Sequence, residues 1–186
     1  MDKSLTAKKK ADMYSEIYNN LVVVGGNAAG LAAASQARRK NPDIKITVLE
    51  GGKYVSYGSC GLPYFISGYV NKIEDLFAYP KEFFKKERNI DVLTGHRVVG
   101  MEPSNKELLV NVAESQENKT FSYDRLIIAS GASPVIPSIP GSGSSGVFNF
   151  WSVDDARRLK AFIDGSSPKK AVIIGGGQVG LLMAEA

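Results

Sequence analysis

Short apolar runs alternate with segments of helical composition along the chain. Leu21 to Val24 is an apolar, β-branched run that stops at Gly25-Gly26, the pattern of a buried parallel strand. Ala28 to Lys40 follows, rich in Ala, Gln and Arg, which are good helix formers. Arg38-Arg39-Lys40 falls where cations oppose the negative end of a helix dipole, and Asn41-Pro42 stops the helix. Ile44 to Leu49 reads as a second strand ending at Glu50. Strand, helix and strand within about 30 residues make a βαβ unit, which demands parallel strands and a right-handed crossover.

Gly51 to Gly58 is loop-like, and a short helix is expected around Cys60, running through Phe65. Pro80 suits the first turn of a further helix through Lys86. Ile90–Leu93, Arg97–Met101, Leu108–Val112 and Thr120–Phe121 read as short strands between turn signals, and Leu126–Ala129 as another apolar strand. Ser130 to Gly146 holds three prolines and four glycines and reads as a connector. Asp154 to Ile163 is a predicted helix, and Ala171–Ile174 a predicted strand running into Gly175-Gly176-Gly177. The fold class is therefore α/β. The expected division is a flexible tail over 1–20, a first domain over 21–146 with its linker at 130–146, and a second domain beginning at 147. Only nine residues follow Gly177. A βαβ unit needs about 30, so the second domain is expected to be truncated and the chain to be the front portion of a longer protein.

Composition narrows the classes. The hydrophobic fraction of 44% and charged fraction of 23% are ordinary for a globular protein. No apolar run approaches the ~18 residues of a transmembrane helix. The first ten residues hold four lysines but no apolar region behind them, so no secretory signal is expected. Those ten residues supply +3 of the net +4, a single cluster that gives little support to a nucleic-acid or membrane partner. One cysteine precludes an intrachain disulfide and suits a reducing, cytoplasmic location. His96, the sole histidine, has no Cys or His companions and reads as a strand-end polar residue, with no metal site expected. Trp151 and the Phe148 to Phe150 aromatics are expected to pack at the domain junction, and Lys85-Lys86 with Arg88 to form a solvated helix face.

Two glycine-rich turns carry candidate chemistry. The first, Gly25-Gly26-Asn27-Ala28-Ala29-Gly30, follows G-x-G-x-x-G at Gly25 and Gly30, with Asn27 in place of the middle glycine. The first glycine permits a tight turn, the middle position lets backbone approach a pyrophosphate, and the third allows close helix–strand packing. The helix N-terminus offers N–H groups and positive dipole to phosphates. Glu50, 20 residues after Gly30, stands where a carboxylate accepts hydrogen bonds from an adenosine ribose. The second turn, Gly175-Gly176-Gly177-Gln178-Val179-Gly180, satisfies the pattern in full. Two such turns imply two nucleotides. The residue that would separate NADH from NADPH should lie about 20 residues beyond Gly180, past the end of the sequence.

Cys60 lies in Ser56-Tyr57-Gly58-Ser59-Cys60-Gly61-Leu62-Pro63-Tyr64, among glycines and hydroxyl residues rather than in an apolar stripe. Gly61 leaves room beside the thiol, and Pro63 suits the first turn of a helix. A helix N-terminus favours a cysteine thiolate, the form that attacks disulfides.

This segment resembles the active-site motif of single-cysteine pyridine nucleotide–disulfide oxidoreductases, and its Cys-Gly-Leu-Pro-Tyr run is most similar to the coenzyme A disulfide reductase branch. The resemblance continues through Tyr79–Phe84, Tyr123–Pro134 and Ile174–Glu185, covering about residues 21–186. It implies a Rossmann-like FAD-binding domain (three-layer ββα), followed by the start of a second Rossmann-like domain for NADH or NADPH. By the resemblance, Gly25, Gly26, Asn27, Ala28 and Gly30 hold the FAD pyrophosphate and Glu50 the adenosine ribose, with Arg39 a weaker candidate on the adenosine side. Ser56, Ser59 and Cys60 line the flavin, Val98 brings backbone near the adenine, and Ala129, Ser130 and Gly131 pass close to the FAD. Gly175, Gly177 and Gly180 receive NAD(P)H phosphates. Cys60 is the implied catalytic residue. A single cysteine must store oxidation as a mixed disulfide with coenzyme A, a persulfide or a sulfenic acid. The expected substrates are coenzyme A disulfide or another small disulfide or persulfide, and the full-length protein is expected to be a homodimer. Two alternatives stand beside this reading. One is an NADH oxidase or peroxidase using a cysteine sulfenic acid. The other is a truncated, inactive nucleotide-binding fragment.

Overall fold

The computed structural model describes residues 18–186, so most of the expected tail lies outside the described residues. In chain order the elements are β1 (Asn20–Val24), α1 (Ala28–Lys40), β2 (Lys45–Glu50), α2 (Leu62–Ser67), α3 (Lys81–Arg88), β3 (Asp91–Thr94), β4 (His96–Glu102), β5 (Glu107–Val112), β6 (Glu117–Ser122), β7 (Arg125–Ile128), α4 (Val153–Ser166) and α5 (Gln178–Glu185). They fall into two compact units. One joins the chain up to Ser56 to Tyr79–Gly131, and the other joins Tyr57–Ala78 to Ala132–Ala186.

The first unit is built on a parallel sheet in the order β3-β2-β1-β7. Successive side chains of a strand point to opposite faces, and β1 is buried on both. Leu21 and Val23 join Ile46 and Val48 in packing against Leu31 and Ala34 of α1 and Phe84 of α3. Val22 and Leu49 pack the other way, against Leu108 and Val110 of an antiparallel sheet in the order β4-β5-β6. Helices, parallel sheet and antiparallel sheet thus make the three layers expected. Each fully buried Val, Leu or Ile in these two clusters contributes about 1.5–3 kcal/mol. Asp124 closes the N-terminal edge: its Oδ2 accepts the N–H groups of Asn19 and Asn20, each at 2.9 Å, tying the start of β1 to the turn before β7. His96 opens β4 with Nδ1 2.9 Å from Thr94 O, the strand-end role expected of it.

Arg88 departs from the expected solvated face. Its Nη1 donates to the buried Ser35 hydroxyl of α1, and its guanidinium lies 5.1 Å from the Phe83 ring centroid. Arg38 of α1 returns the contact, donating to Arg88 O at 3.1 Å and Asn89 O at 2.8 Å, two carbonyls at the end of α3. Lys85 and Lys86 are both exposed as expected, Lys85 pairing with Asp91 at 2.7 Å. Replacing Arg88 with Ala leaves a buried hydroxyl short of its donor and removes a cation–π contact. The expected cost is about 2 kcal/mol in urea unfolding, only partly recovered by Lys, whose ammonium lacks the guanidinium fork.

In the second unit α2 packs against both α4 and α5. Helix α4 begins with a reciprocal cap. Ser152 Oγ accepts from Asp155 N at 3.2 Å, and Asp155 Oδ2 accepts from Ser152 N at 2.9 Å. Partial burial pushes the Asp155 carboxyl up, but the hydrogen bonds from Ser152 and Arg158 outweigh it and hold the group below the usual aspartate value. Phe148 meets α4 through Phe162, with centroids 5.1 Å apart, and Trp151 is 48% exposed. Residues 171–174 form no strand, contrary to their apolar pattern, and Val172 is 88% exposed. A parallel strand exists only through its ladder, and no described residue of this unit offers one. Among the described residues, no helix is long and apolar enough to cross a membrane.

Candidate nucleotide-binding crevice and redox cysteine

The carboxyl ends of β1, β2 and β7 converge in the first unit. After β1 the chain turns through α1 to β2 on one side of it, while β7 lies on the other. The strand order therefore reverses beside β1, and ligands of open α/β sheets bind at such a point, outside the carboxyl ends. Gly25 N donates to Leu49 O and Ala129 N to Val24 O, each at 2.8 Å, which pins all three strand ends together. Gly25 has φ +110°, a region closed to most L residues, and a Cβ there would stand 2.1 Å from Ala129 O. Gly30 is required by approach: its Cβ would fall 1.9 Å from Gly25 O.

Helix α1 starts directly behind this turn. Its first intrahelical bond runs from Leu31 N to Asn27 O, and the Asn27 side chain does not cap the helix. The N–H groups of Ala28, Ala29 and Gly30 thus have no i−4 acceptor, and Ala28 and Ala29 are exposed. An uncapped N-terminus with an absent Cβ beneath it fits a phosphate. Glu50 lies beside it, half-buried at the end of β2. Its Oε2 accepts from Gly26 N at 2.7 Å and its Oε1 from Gly52 N at 2.6 Å. A carboxylate has about four acceptor sites, so two remain for hydroxyl donors such as those of a ribose. The residues present fit an adenine dinucleotide.

Ser56 joins this site through its backbone, donating to Gly26 O at 3.1 Å with φ +55°. Ser130 follows Ala129, and Gly131 turns the chain out of the unit with φ +71°. Val98 packs into the cluster between the two sheets, one residue beyond Arg97, whose Cα lies against Gly51. Arg39 is not brought to the crevice. It sits near the far end of α1, about 16 Å from Ala28 at 1.5 Å per residue, and its guanidinium is engaged by Gln36 Oε1. Gly52 was not singled out by sequence reasoning. The only trace of its role is a glycine pair immediately after the strand-end acid.

The second unit repeats the turn. Gly175 has φ +114°, Gly177 precedes α5 in extended conformation, and a Cβ on Gly180 would fall 2.0 Å from Gly175 O. The middle position, Asn27 in one turn and Gly177 in the other, is extended in both and demands no glycine.

Cys60 lies in the same unit as the second turn, exposed, in a short 3-10 turn over Ser59–Gly61. The helix expected around it starts two residues later, at Leu62, with Pro63 in its first turn. The Ile73–Leu76 segment holds this stretch. Gly58 N donates to Leu76 O at 2.9 Å, Tyr57 bridges to Phe77, and a Cβ on Gly61 would meet Leu76 Cδ2 at 2.5 Å. Among the described residues, no three His, Cys, Asp or Glu side chains group as metal ligands.

The chain is similar to known proteins over most of its length. The family described as pyridine nucleotide-disulphide oxidoreductase matches residues 19–186. A Methanocaldococcus jannaschii protein named NADH oxidase is 35% identical, over 88% of this chain and 36% of its own. A Staphylococcus haemolyticus coenzyme A disulfide reductase is also 35% identical, over 89% and 37% respectively. The solved structure of an NAD-dependent persulfide reductase from A. fulgidus superposes with a TM-score of 0.84 at 42% identity, over 89% of this chain and 31% of that one. The chain thus spans about a third of the length of each relative. With the family model matched over residues 19–186, nearly all of the described residues, the chain belongs to the pyridine nucleotide-disulphide oxidoreductase family.

Proposed function

We propose that this chain is the cofactor-binding and redox part of an NAD(P)H-dependent flavoenzyme that reduces coenzyme A disulfide, or a related disulfide or persulfide, through Cys60. The observation that carries the reading is a pair of glycine turns with one backbone conformation in a chain whose sole cysteine is exposed. In this reading the turn at Gly25, Gly26, Asn27, Ala28 and Gly30 takes the pyrophosphate of FAD. Glu50 takes the adenosine ribose, Val98 flanks the adenine, and Ser56 with Ala129 to Gly131 borders the cofactor. Gly175, Gly177 and Gly180 take NADH or NADPH. Ser59 and Cys60 serve the flavin end, and the full-length protein works as a homodimer.

Cys60 acts as nucleophile. Its thiolate attacks one sulfur of the substrate disulfide, a bond forms between the two sulfurs, and the other substrate sulfur leaves as a thiolate that takes a proton from water. The flavin, when bound, supplies nicotinamide-derived electrons that reopen the mixed disulfide. Exposure of Cys60 gives a substrate as large as coenzyme A disulfide access to the sulfur. The relative named NADH oxidase supports a second reading, in which Cys60 is stored as a sulfenic acid.

Intact mass spectrometry after separate exposure to coenzyme A disulfide and to hydrogen peroxide, which supplies the oxygen of a sulfenic acid, separates the two. The disulfide reading expects one coenzyme A adduct on Cys60, removed by a thiol reductant. A gain of a single oxygen instead favours the oxidase, and a thiol left unmodified by the disulfide and by peroxide rejects both.

A further inference from the structure

We infer that Glu50 is also a positioning residue for the phosphate-binding turn, holding the Gly25–Gly26 peptide in its ligand-ready orientation before any nucleotide binds. The inference rests on the reading of that turn as a dinucleotide site. The N–H and C=O of a trans peptide point in opposite directions. Donation from Gly26 N to Glu50 Oε2 at 2.7 Å therefore fixes Gly25 C=O as well. That carbonyl oxygen lies where a Cβ on Gly30 would be, 1.9 Å from the position, tucked beneath the first turn of α1. The next peptide is fixed likewise, because Gly26 O accepts from Ser56 N at 3.1 Å. The second Glu50 oxygen anchors Gly52 N at 2.6 Å, and Gly95 N ties Gly52 O to the start of β4 at 2.9 Å. One carboxylate thus braces the turn against the sheet.

The second turn provides an internal reference. It has the same conformation, but the position matching Glu50 lies about 20 residues beyond Gly180, past the end of the sequence, so within these residues Gly176 N has no acceptor and nothing lies within 4 Å of the Cβ position there. A peptide free to flip withdraws its carbonyl from beneath the first turn of the helix and loosens the seat of the helix N-terminus, which costs affinity. A clamped one is preorganised.

Amide exchange by NMR in the ligand-free chain tests the clamp directly. Gly26 N–H should exchange at least about tenfold more slowly than Gly176 N–H, and equal rates overturn the inference. Titrations of Glu50→Gln with inorganic pyrophosphate and with ADP, read at the Ala28 and Ala29 amides, then separate positioning from ribose binding. A ribose contact alone weakens ADP and leaves pyrophosphate unchanged, or tighter, because a nearby negative charge is gone. Positioning weakens both, pyrophosphate by about five- to tenfold. Unchanged or tighter pyrophosphate binding overturns the inference. Failure of the unsubstituted chain to bind ADP or pyrophosphate instead rejects the dinucleotide reading on which it stands. Where Glu50→Gln does not fold, the exchange comparison in the unsubstituted chain decides.

Discussion

Cys60→Ser is expected to lower disulfide reduction by at least about 10³-fold while leaving flavin content unchanged, in a protein of family length that carries this chain. The replacement differs by one atom. Cys60 is exposed in a 3-10 turn that is held by its neighbours, through Gly58 to Leu76 and Tyr57 to Phe77, and not by its own side chain. Stability should therefore move by no more than about 0.5 kcal/mol, the range of surface substitutions. A serine oxygen forms no bond to sulfur that nicotinamide-derived electrons can reopen, so turnover has no alternative route through this position. The crevice residues proposed for the adenine nucleotide belong to other segments and keep their geometry. Loss of flavin together with activity would point to a structural role for the cysteine. Undiminished disulfide turnover with flavin retained would remove Cys60 from the chemistry altogether.

Much of this was legible because it is local. The apolar run at Leu21–Val24, the alanine-rich stretch to Lys40 and the strand ending at Glu50 each carry their own periodicity and stop signals, and the observed elements begin and end within a residue of them. What escaped was settled by partners distant in the chain. Arg88 sits in a run of cations, and nothing adjacent announces that Ser35, 53 residues earlier, is buried and within its reach. Ala171–Ile174 has the composition of a strand, but pairing is a property of two segments, and composition reports only one. Glu50 is the intermediate case. Its spacing from Gly30 marked it as an acid at a strand end, while the two backbone N–H groups it accepts follow from loop geometry that spacing does not encode. The glycines divide on the same line. The pattern identified Gly30 and Gly180 as equivalent, yet within this chain only the first turn has its sheet and strand-end acid around it, the position matching Glu50 in the second falling past Ala186.

That difference yields a paired prediction. Gly30→Ala and Gly180→Ala drive the same atom into the same neighbour, with the new Cβ 1.9 Å from Gly25 O in one case and 2.0 Å from Gly175 O in the other. In a bare helix either change is favourable by up to about 1 kcal/mol. At Gly30 the obstructing carbonyl cannot retreat. Gly25 N is bonded to Leu49 O, Gly26 N to Glu50, and the back of Gly25 rests on Ala129. Helix α1 must move instead, and with it Leu31 and Ala34, which are buried against the sheet. The expected cost is about 2–3 kcal/mol, the scale of overpacking in a confined core. Displacement of the helix N-terminus should weaken ADP binding by at least about tenfold. Within this 186-residue chain nothing confines the partner at Gly180: no atom lies within 4 Å of the Cβ position of Gly175 or Gly176, and α5 contains no buried residue. The turn gives way, and the cost should stay below about 1 kcal/mol. Urea unfolding followed by circular dichroism measures both variants. Equal destabilisation would mean that the collision itself sets the cost, and that the bracing of the first turn by Glu50, Leu49 and Ala129 contributes little to its rigidity.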